Sequence, residues 1–220
     1  AVHDRQKMKC DFKNARIKNQ KIEDKLNEFF LVNVTFSDYG LLKINKLSLK
    51  RTNKFLAIEI LKKTLTTISG KIFSAKRLSI ERILKNLNFR ESFKQTLHTC
   101  IISVTSEFIT IFKEANLKKK RKKLLILKGQ KCLWDDRFIL ISKNTDAKCE
   151  FIDPLKWYLT KKKVLFPKNK ISFPILLTLP LIKIKNKYII PFFTDHEEMA
   201  KYGLEFYFYP KVPLSRKNFF

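Results

Sequence analysis

The segment LWDDRFILIS, residues 133–142, holds two adjacent carboxylates, Asp135 and Asp136, between a tryptophan and an arginine. Two carboxylates that converge on one point can bind a metal ion or carry out general acid–base chemistry. Neighbouring residues on a strand point to opposite faces, however, and in a turn they diverge. Aspartate is also favoured in turns because its side chain bonds to nearby backbone amides. We therefore predict a hairpin turn, with Trp134 packed as an anchor and Arg137 partly exposed.

The sequence contains no other motif for nucleotide or metal chemistry. Its four glycines, Gly40, Gly70, Gly129 and Gly203, lie far apart, so no glycine-rich phosphate loop is formed. Neither GxSxG nor HExxH occurs, and the four cysteines and three histidines lack the spacing of zinc ligands. These absences argue against a self-contained nucleotide-using active site and against a disulfide framework. We predict a chain without metal ligands, located in a reducing cytoplasm.

The charge of the chain points to a polyanionic partner. Its 220 residues include 47 lysines and arginines against 20 acidic residues, a formal net charge of +27. Such a surplus repels itself in the compact state and attracts polyanions. RNA or DNA is the favoured partner, and an acidic membrane surface is the lesser alternative. The longest apolar runs, such as PILLTLPLI at 174–182, fall far short of the roughly 18 residues that a membrane span needs.

The hydrophobic pattern predicts an α+β fold that begins with a helical domain carrying small β-hairpins, over residues 1–113. Apolar residues recur at helical spacing, and alternation marks the hairpins. The helices are predicted at 8–30, 53–69 and 75–87, and the hairpins at 31–44 and 96–113. Ser74 is placed to cap the third helix. The residues predicted to face inward from that helix are Leu78, Ile83, Leu84 and Leu87.

A basic run at 114–123 separates this domain from a β-rich C-terminal domain over 124–220. Its six consecutive cations are Lys118, Lys119, Lys120, Arg121, Lys122 and Lys123. They cannot pack into a core, which favours a charged linker. The alternative is a strap that contacts phosphates, since each neutralised phosphate releases counterions. Beyond the linker, a turn at Asp135–Asp136 and a fold-back at 185–187 divide several short strands.

Three segments, in this order, resemble the C-terminal part of bacterial tRNA(Ile)-lysidine synthetases. They are TLHTCIISVTSEFITIFKE at 96–114, LWDDRFILI at 133–141 and TLPLIKIKNKYIIPFF at 178–193. The family has TLHGCII with a following RE, then WDNRF, then TLP with a following IPH. The segment NVTFSDYGLLKIN and the paired helices at 53–88 are similar to the helical domain behind the family's catalytic core. The chain departs at Thr99, where the family usually has Gly, and at Phe192, where it often has His.

The resemblance implies the tRNA-engaging portion of an enzyme that uses ATP to join lysine to the wobble cytidine of tRNA-Ile(CAU). The family's SGGxDS loop, which handles ATP with Mg²⁺, lies in an N-terminal PP-loop catalytic domain and has no match here. That domain would be a partner of this chain, and a homodimer is left open. The chain starts at Ala1, without Met, inside a helical pattern, which favours an excerpt of a longer protein. The alternatives are a stand-alone RNA-binding protein and a non-functional remnant of the gene.

For such a portion the mechanism is docking, because lysine and arginine side chains contact phosphates and set the register while base chemistry happens elsewhere. We predict no catalytic, cofactor-binding or metal-binding residue. The candidate tRNA contacts are Arg77, Arg82, Lys118, Lys119, Lys120, Arg121, Lys122, Lys123, Arg137, Lys161, Lys162 and Lys163.

Overall fold

The computed structural model describes residues 2–115, 123–154, 157, 171–185, 187–194 and 196–214. At residues 2–13, 196 and 198 it describes the backbone only. Within these ranges the chain forms six α-helices and three antiparallel sheets, with a helical region first and β-rich parts after it. This architecture confirms the predicted α+β fold class.

The helices of the first half form where apolar residues recur at helical spacing. Their bounds are α1 Val2–Asn33, α2 Lys46–Arg51, α3 Lys54–Ser69 and α4 Arg77–Phe89. Asn45 and Asn53 cap α2 and α3, and each side chain accepts a backbone hydrogen bond of 2.9 Å. Gly70 ends α3 with a φ of 73°. Lys76 stands at the N-cap of α4 without a side-chain capping bond, so the prediction that Ser74 caps this helix is wrong.

The inward face of α4 differs from the predicted face at one residue. Ile83 and Leu87 are buried as predicted, and Leu84 packs partly buried against the core. Leu78 is 71% exposed, and Ile80 is buried in its place. Successive helical residues are rotated by about 100°, so positions 80, 83 and 87 share a face from which position 78 is turned away.

Both hairpins of the first half belong to one five-stranded sheet that packs on α3, in the order β1–β2–β5–β4–β3. The strands are β1 Val34–Ser37, β2 Leu41–Asn45, β3 Phe93–Leu97, β4 Cys100–Val104 and β5 Phe108–Lys113. Pairing of β2 with β5, with Ile44 opposite Ile109, joins the hairpins. The predicted hairpin over 96–113 is confirmed for β4 and β5, but its first strand was expected to be continuous from residue 96, and a turn at His98–Thr99 divides that stretch into β3 and β4.

The second half contains two smaller antiparallel sheets, ordered β11–β10–β9–β6 and β12–β8–β7. The strands are β6 Leu124–Ile126, β7 Lys131–Trp134, β8 Phe138–Ser142, β9 Ala147–Phe151, β10 Pro180–Ile184, β11 Lys187–Ile189 and β12 Leu204–Phe208. Helix α5 spans Phe173–Leu176, a 3-10 helix spans Pro191–Phe193, and α6 spans His196–Lys201. Antiparallel pairing of β10 with β11 confirms the predicted fold-back.

One hydrophobic core continues through both halves of the chain. The ring of Phe36 in β1 lies 4.9 Å from that of Phe208 in β12, and Tyr39 lies 5.9 Å from Phe193. The division into domains at 1–113, 114–123 and 124–220 stays a prediction. Among the described helices, none combines the length and the apolar character that crossing a membrane requires.

Lys46 is a buried cation, 6% exposed, that ties together three parts of the first half. Its ammonium group donates to the backbone oxygens of Glu91 at 2.5 Å, Thr105 at 3.1 Å and Arg90 at 3.5 Å. Arg90 is the C-cap of α4, and Thr105 follows β4. These charge-assisted hydrogen bonds offset the cost of burying the ammonium group.

Replacing Lys46 by methionine (Lys46→Met) keeps the apolar stem and removes the donor. We expect the free energy of unfolding to fall by about 2 kcal/mol, because three carbonyl oxygens lose their charged donor. Lys43→Met, at an exposed position of β2, is the matched control and should change stability by less than about 0.5 kcal/mol. Urea unfolding of both variants measures the difference, and equal stabilities would contradict the role of Lys46.

Thr99 has a φ of 59° in the turn between β3 and β4, a conformation that strains a β-branched residue. We expect Thr99→Gly to raise the free energy of unfolding by about 1 kcal/mol, because glycine adopts this conformation without strain. The control Thr96→Gly changes an exposed residue within β3 and should lower it. Thermal unfolding compares the two variants. A Thr99→Gly protein that melts below the wild type would show that the turn is not strained.

Candidate nucleic-acid interface

Asp135 and Asp136 form the two-residue turn between β7 and β8, with φ values of 54° and 58°. Their carboxylates serve different partners. The Asp135 carboxylate pairs with Arg137 and Lys113, whereas that of Asp136 pairs with Lys211 at 2.7 Å. The prediction of a hairpin turn is confirmed, and the two side chains do not converge on a common ligand.

Arg137 is fully buried, at 0% exposure, although we predicted it to be partly exposed. Its guanidinium donates to Asp135 Oδ2 from Nη2 at 2.7 Å and from Nε at 3.0 Å, and to the Thr178 carbonyl at 3.1 Å. It also lies 4.8 Å from the centroid of the Phe138 ring. The predicted exposure is therefore wrong, because a paired guanidinium is drawn into the core. A side chain with no exposed surface cannot contact a phosphate, so Arg137 is no longer a candidate tRNA contact. Trp134 is buried, as predicted.

Lys113, at the end of β5, completes an ion cluster that we define as Lys113, Asp135 and Arg137. Its ammonium group donates to Asp135 Oδ1 at 2.8 Å. Burial, with the charge of Arg137, lowers the pKa of Lys113. Backbone also approaches closely: a Cβ added to Gly70 would lie 2.9 Å from Cγ of Arg137, and one added to Gly40 would lie 3.1 Å from its Nη1. The cluster thus joins the first sheet, the end of α3 and the β7–β8 hairpin.

The variant Asp135→Asn removes the counterion that the ion cluster shares. We expect the free energy of unfolding to fall by about 3 kcal/mol, because Arg137 and Lys113 keep buried charges without compensation. Asp136→Asn is the matched control: that carboxylate is 56% exposed, so its loss should cost less than about 1 kcal/mol. Asparagine tolerates positive φ at both positions. Urea unfolding measures both, and losses of equal size would contradict the proposed difference.

The buried cysteines are structural. The Cys100 thiol donates to the Leu65 carbonyl at 3.7 Å, and burial raises its pKa to about 12, so the nucleophilic thiolate does not form near neutral pH. Burial also raises the pKa of Cys149. Within the described ranges, no three or more His, Cys, Asp or Glu side chains are grouped so that they could hold a metal ion.

A groove of about 640 Å³ lies between α2, α3 and α4. We define the basic groove by its four cations: Lys50 in the last turn of α2, Lys54 at the start of α3, and Arg82 and Lys85 on α4. Its apolar lining consists of Leu49, Ala57, Leu78, Leu84 and Leu87. The three walls of the groove are α2, α3 and α4. Asn45 and Asn53 cap the first two helices, and the buried residues of α4 hold the third against the core.

The basic groove attracts anions because four cations face one lining carboxylate, that of Glu81. Glu81 accepts from Nε of Arg77 at 3.2 Å and pairs with Lys54 at 3.5 Å. The hydrogen bond from Arg77 lowers the pKa of Glu81. In the described part of the chain no carboxylate forms an ion pair with Lys50, Arg82 or Lys85. Three cations are therefore available for phosphate groups.

The two candidate arginines of α4 have different surroundings in the structure. Arg82 lines the basic groove, whereas Arg77 does not line it and is engaged with Glu81. Lys123 is exposed just before β6. The other predicted contacts lie outside the described residues, and they are Lys118, Lys119, Lys120, Arg121, Lys122, Lys161, Lys162 and Lys163. Their roles stay predictions.

Sequence reasoning missed Lys50, Lys54 and Lys85 as partners of Arg82. A signal existed for Lys85, which follows Arg82 by three positions and so lies on the same helical face. Lys50 and Lys54 belong to other helices and reach the basic groove only through the packing of α2 and α3 against α4. No local pattern carries that information.

The described residues define an α+β protein with a groove that four cations line. The chain is 32% identical over 184 residues to the tRNA(Ile)-lysidine synthase of Rickettsia rickettsii (strain Sheila Smith), a match over 80% of this chain and 38% of that protein. It is 30% identical over 182 residues to the tRNA(Ile)-lysidine synthase of Rickettsia typhi (strain ATCC VR-144 / Wilmington), a match over 78% of this chain and 42% of that protein. It is 28% identical over 212 residues to the tRNA(Ile)-lysidine synthase of Rickettsia bellii (strain OSU 85-389), a match over 88% of this chain and 48% of that protein.

These matches confirm the resemblance predicted from the motifs: the chain is similar, over most of its length, to tRNA(Ile)-lysidine synthases. It spans less than half the length of these curated relatives. No protein-family model matches the chain.

Proposed function

We propose that this chain is the tRNA-binding portion of a tRNA(Ile)-lysidine synthase. Its substrate would be tRNA-Ile(CAU), whose wobble cytidine, C34, receives lysine in a reaction that consumes ATP. The observation that carries the proposal is the basic groove, in which Arg82 and Lys85 of one helix stand opposite Lys50 and Lys54 of two others. Similarity to synthases supports the identity of the nucleic acid.

The arrangement of the basic groove suits a phosphate backbone better than a single small anion. Its four cations come from three helices and are separate point charges, so they can contact more than one phosphate. Each contact releases counterions, which gives affinity without reading sequence. The net charge of +27 adds long-range attraction that brings tRNA to the surface. Binding by this surface would position the tRNA for chemistry carried out elsewhere.

The described residues do not fit ATP with Mg²⁺. They include no group of three or more side chains that could hold the ion, and the four glycines of the sequence are too widely spaced for a phosphate loop. No step of the reaction is assigned to this chain. In the proposal, a PP-loop catalytic domain binds ATP and lysine and acts as the partner of this portion. Both would work in the cytoplasm, where tRNA is modified.

The double variant Arg82→Gln with Lys85→Gln removes two neighbouring cations of the basic groove. We expect its affinity for isoleucine tRNA to fall about tenfold and the salt slope, log K against log salt concentration, to become shallower by about 1.5. Fluorescence anisotropy over a potassium chloride series measures both. Lys94→Gln is the control, since Lys94 is exposed on β3 and does not line the groove, and should change affinity less than twofold. A double variant with unaltered affinity and slope would rule out the groove as the binding surface.

A further inference from the structure

Four exposed residues form one stripe along α4, which we call the α4 stripe. Its members are Leu78, Arg82, Lys85 and Phe89. Their spacings of four, three and four residues put all of them on the same side of the helix. The opposite side is buried in the core. The stripe is about 16 Å long, so several nucleotides can lie along it.

The two ends of the α4 stripe are apolar, with Leu78 71% and Phe89 77% exposed. A single exposed apolar side chain is common on protein surfaces and needs no partner. Here, however, the two large apolar side chains stand in line with the two groove cations, Arg82 and Lys85. A surface that contacted phosphates alone would need only the cations. The apolar ends therefore call for a partner that offers both negative charge and apolar faces.

Unpaired RNA offers both. Its phosphates are negatively charged, and the faces of its unstacked bases pack on aromatic and apolar side chains. In duplex RNA the base faces are stacked inside the helix, and only phosphates, 2′-hydroxyls and base edges are accessible. The excess of cations over carboxylates in the basic groove disfavours a basic peptide or a neutral apolar one.

We propose that the α4 stripe binds an unpaired segment of RNA. Phe89 stacks on one base, Leu78 packs against another, and Arg82 and Lys85 contact the phosphates between them. The inference rests on the proposed function and narrows it, since it specifies single-stranded rather than duplex parts of the tRNA as the ligand of this helix.

Two probes test the choice of ligand with the whole 220-residue chain. Oligouridylate of about 12 nucleotides and an RNA duplex of about 12 base pairs each compete with labelled isoleucine tRNA. We expect the oligouridylate to displace the tRNA at a concentration about tenfold lower than the duplex. Equal competition, or stronger competition by the duplex, would overturn the inference.

Variants of Phe89 test the stacking contact. Phe89→Ala should lower the affinity for oligouridylate about tenfold and leave the salt slope unchanged, because stacking neutralises no phosphate. Phe89→Tyr keeps the ring and should stay within about twofold of the wild type. Phe73→Ala removes an exposed ring that neither belongs to the stripe nor lines the groove, and should have no effect.

The outcomes separate this inference from the proposed function. A wild-type chain that binds neither tRNA nor oligouridylate contradicts both. A chain that binds tRNA, but whose Phe89→Ala variant binds oligouridylate as tightly as the wild type, overturns the inference and leaves the proposed function standing. Circular dichroism of each variant confirms its fold, and these surface positions lie outside the core.

Discussion

A buried guanidinium needs a counterion, and the one that Arg137 has lies where the two halves of the chain meet. Asp135, two residues earlier in the β7–β8 hairpin, supplies it and simultaneously pairs with Lys113 of the first sheet. Two cations share one carboxylate in a region from which water is largely excluded. Removing that carboxylate is therefore far more disruptive than its place in a hairpin turn implies.

The ion cluster is separate from the basic groove but contacts the end of α3, one of the helices that line the groove. Arg137 and Asp136 closely approach Gly70, the residue that ends α3. Helix α4 packs on α3, and Lys46 links the start of α2 to the end of α4. Each wall of the groove is thus connected to a buried polar contact. Cations held on fixed walls lose less conformational freedom when phosphates bind than cations on a flexible segment would.

Periodicity was sufficient to predict the three long helices of the first half and the positions of its two hairpins, because the helices have a regular apolar face and the strands alternate. It did not predict the short helix α2. It failed at His98–Thr99, where a turn forms without the glycine or asparagine that usually announces one. Arginine is seldom buried, so the sequence favoured an exposed Arg137. Its burial depends on the carboxylate of Asp135 and on the backbone carbonyl of Thr178, which is 41 residues away in the sequence. Such contacts between distant segments leave no pattern in the local sequence.

The basic groove, like the fold, could be predicted from the sequence only in part. Arg82 was predicted from its charge, and its three partners appear only once the helices are packed. Packing of the helices thus brings four cations from three helices to one groove. We propose that this groove belongs to a tRNA-recognition portion rather than to a generally basic protein. The most direct test is the ratio of affinities for isoleucine tRNA(CAU) and an unrelated tRNA, measured as salt is raised. We expect a preference for the isoleucine tRNA that persists while both affinities fall steeply with salt, and equal affinities at every salt concentration would contradict a role in tRNA recognition.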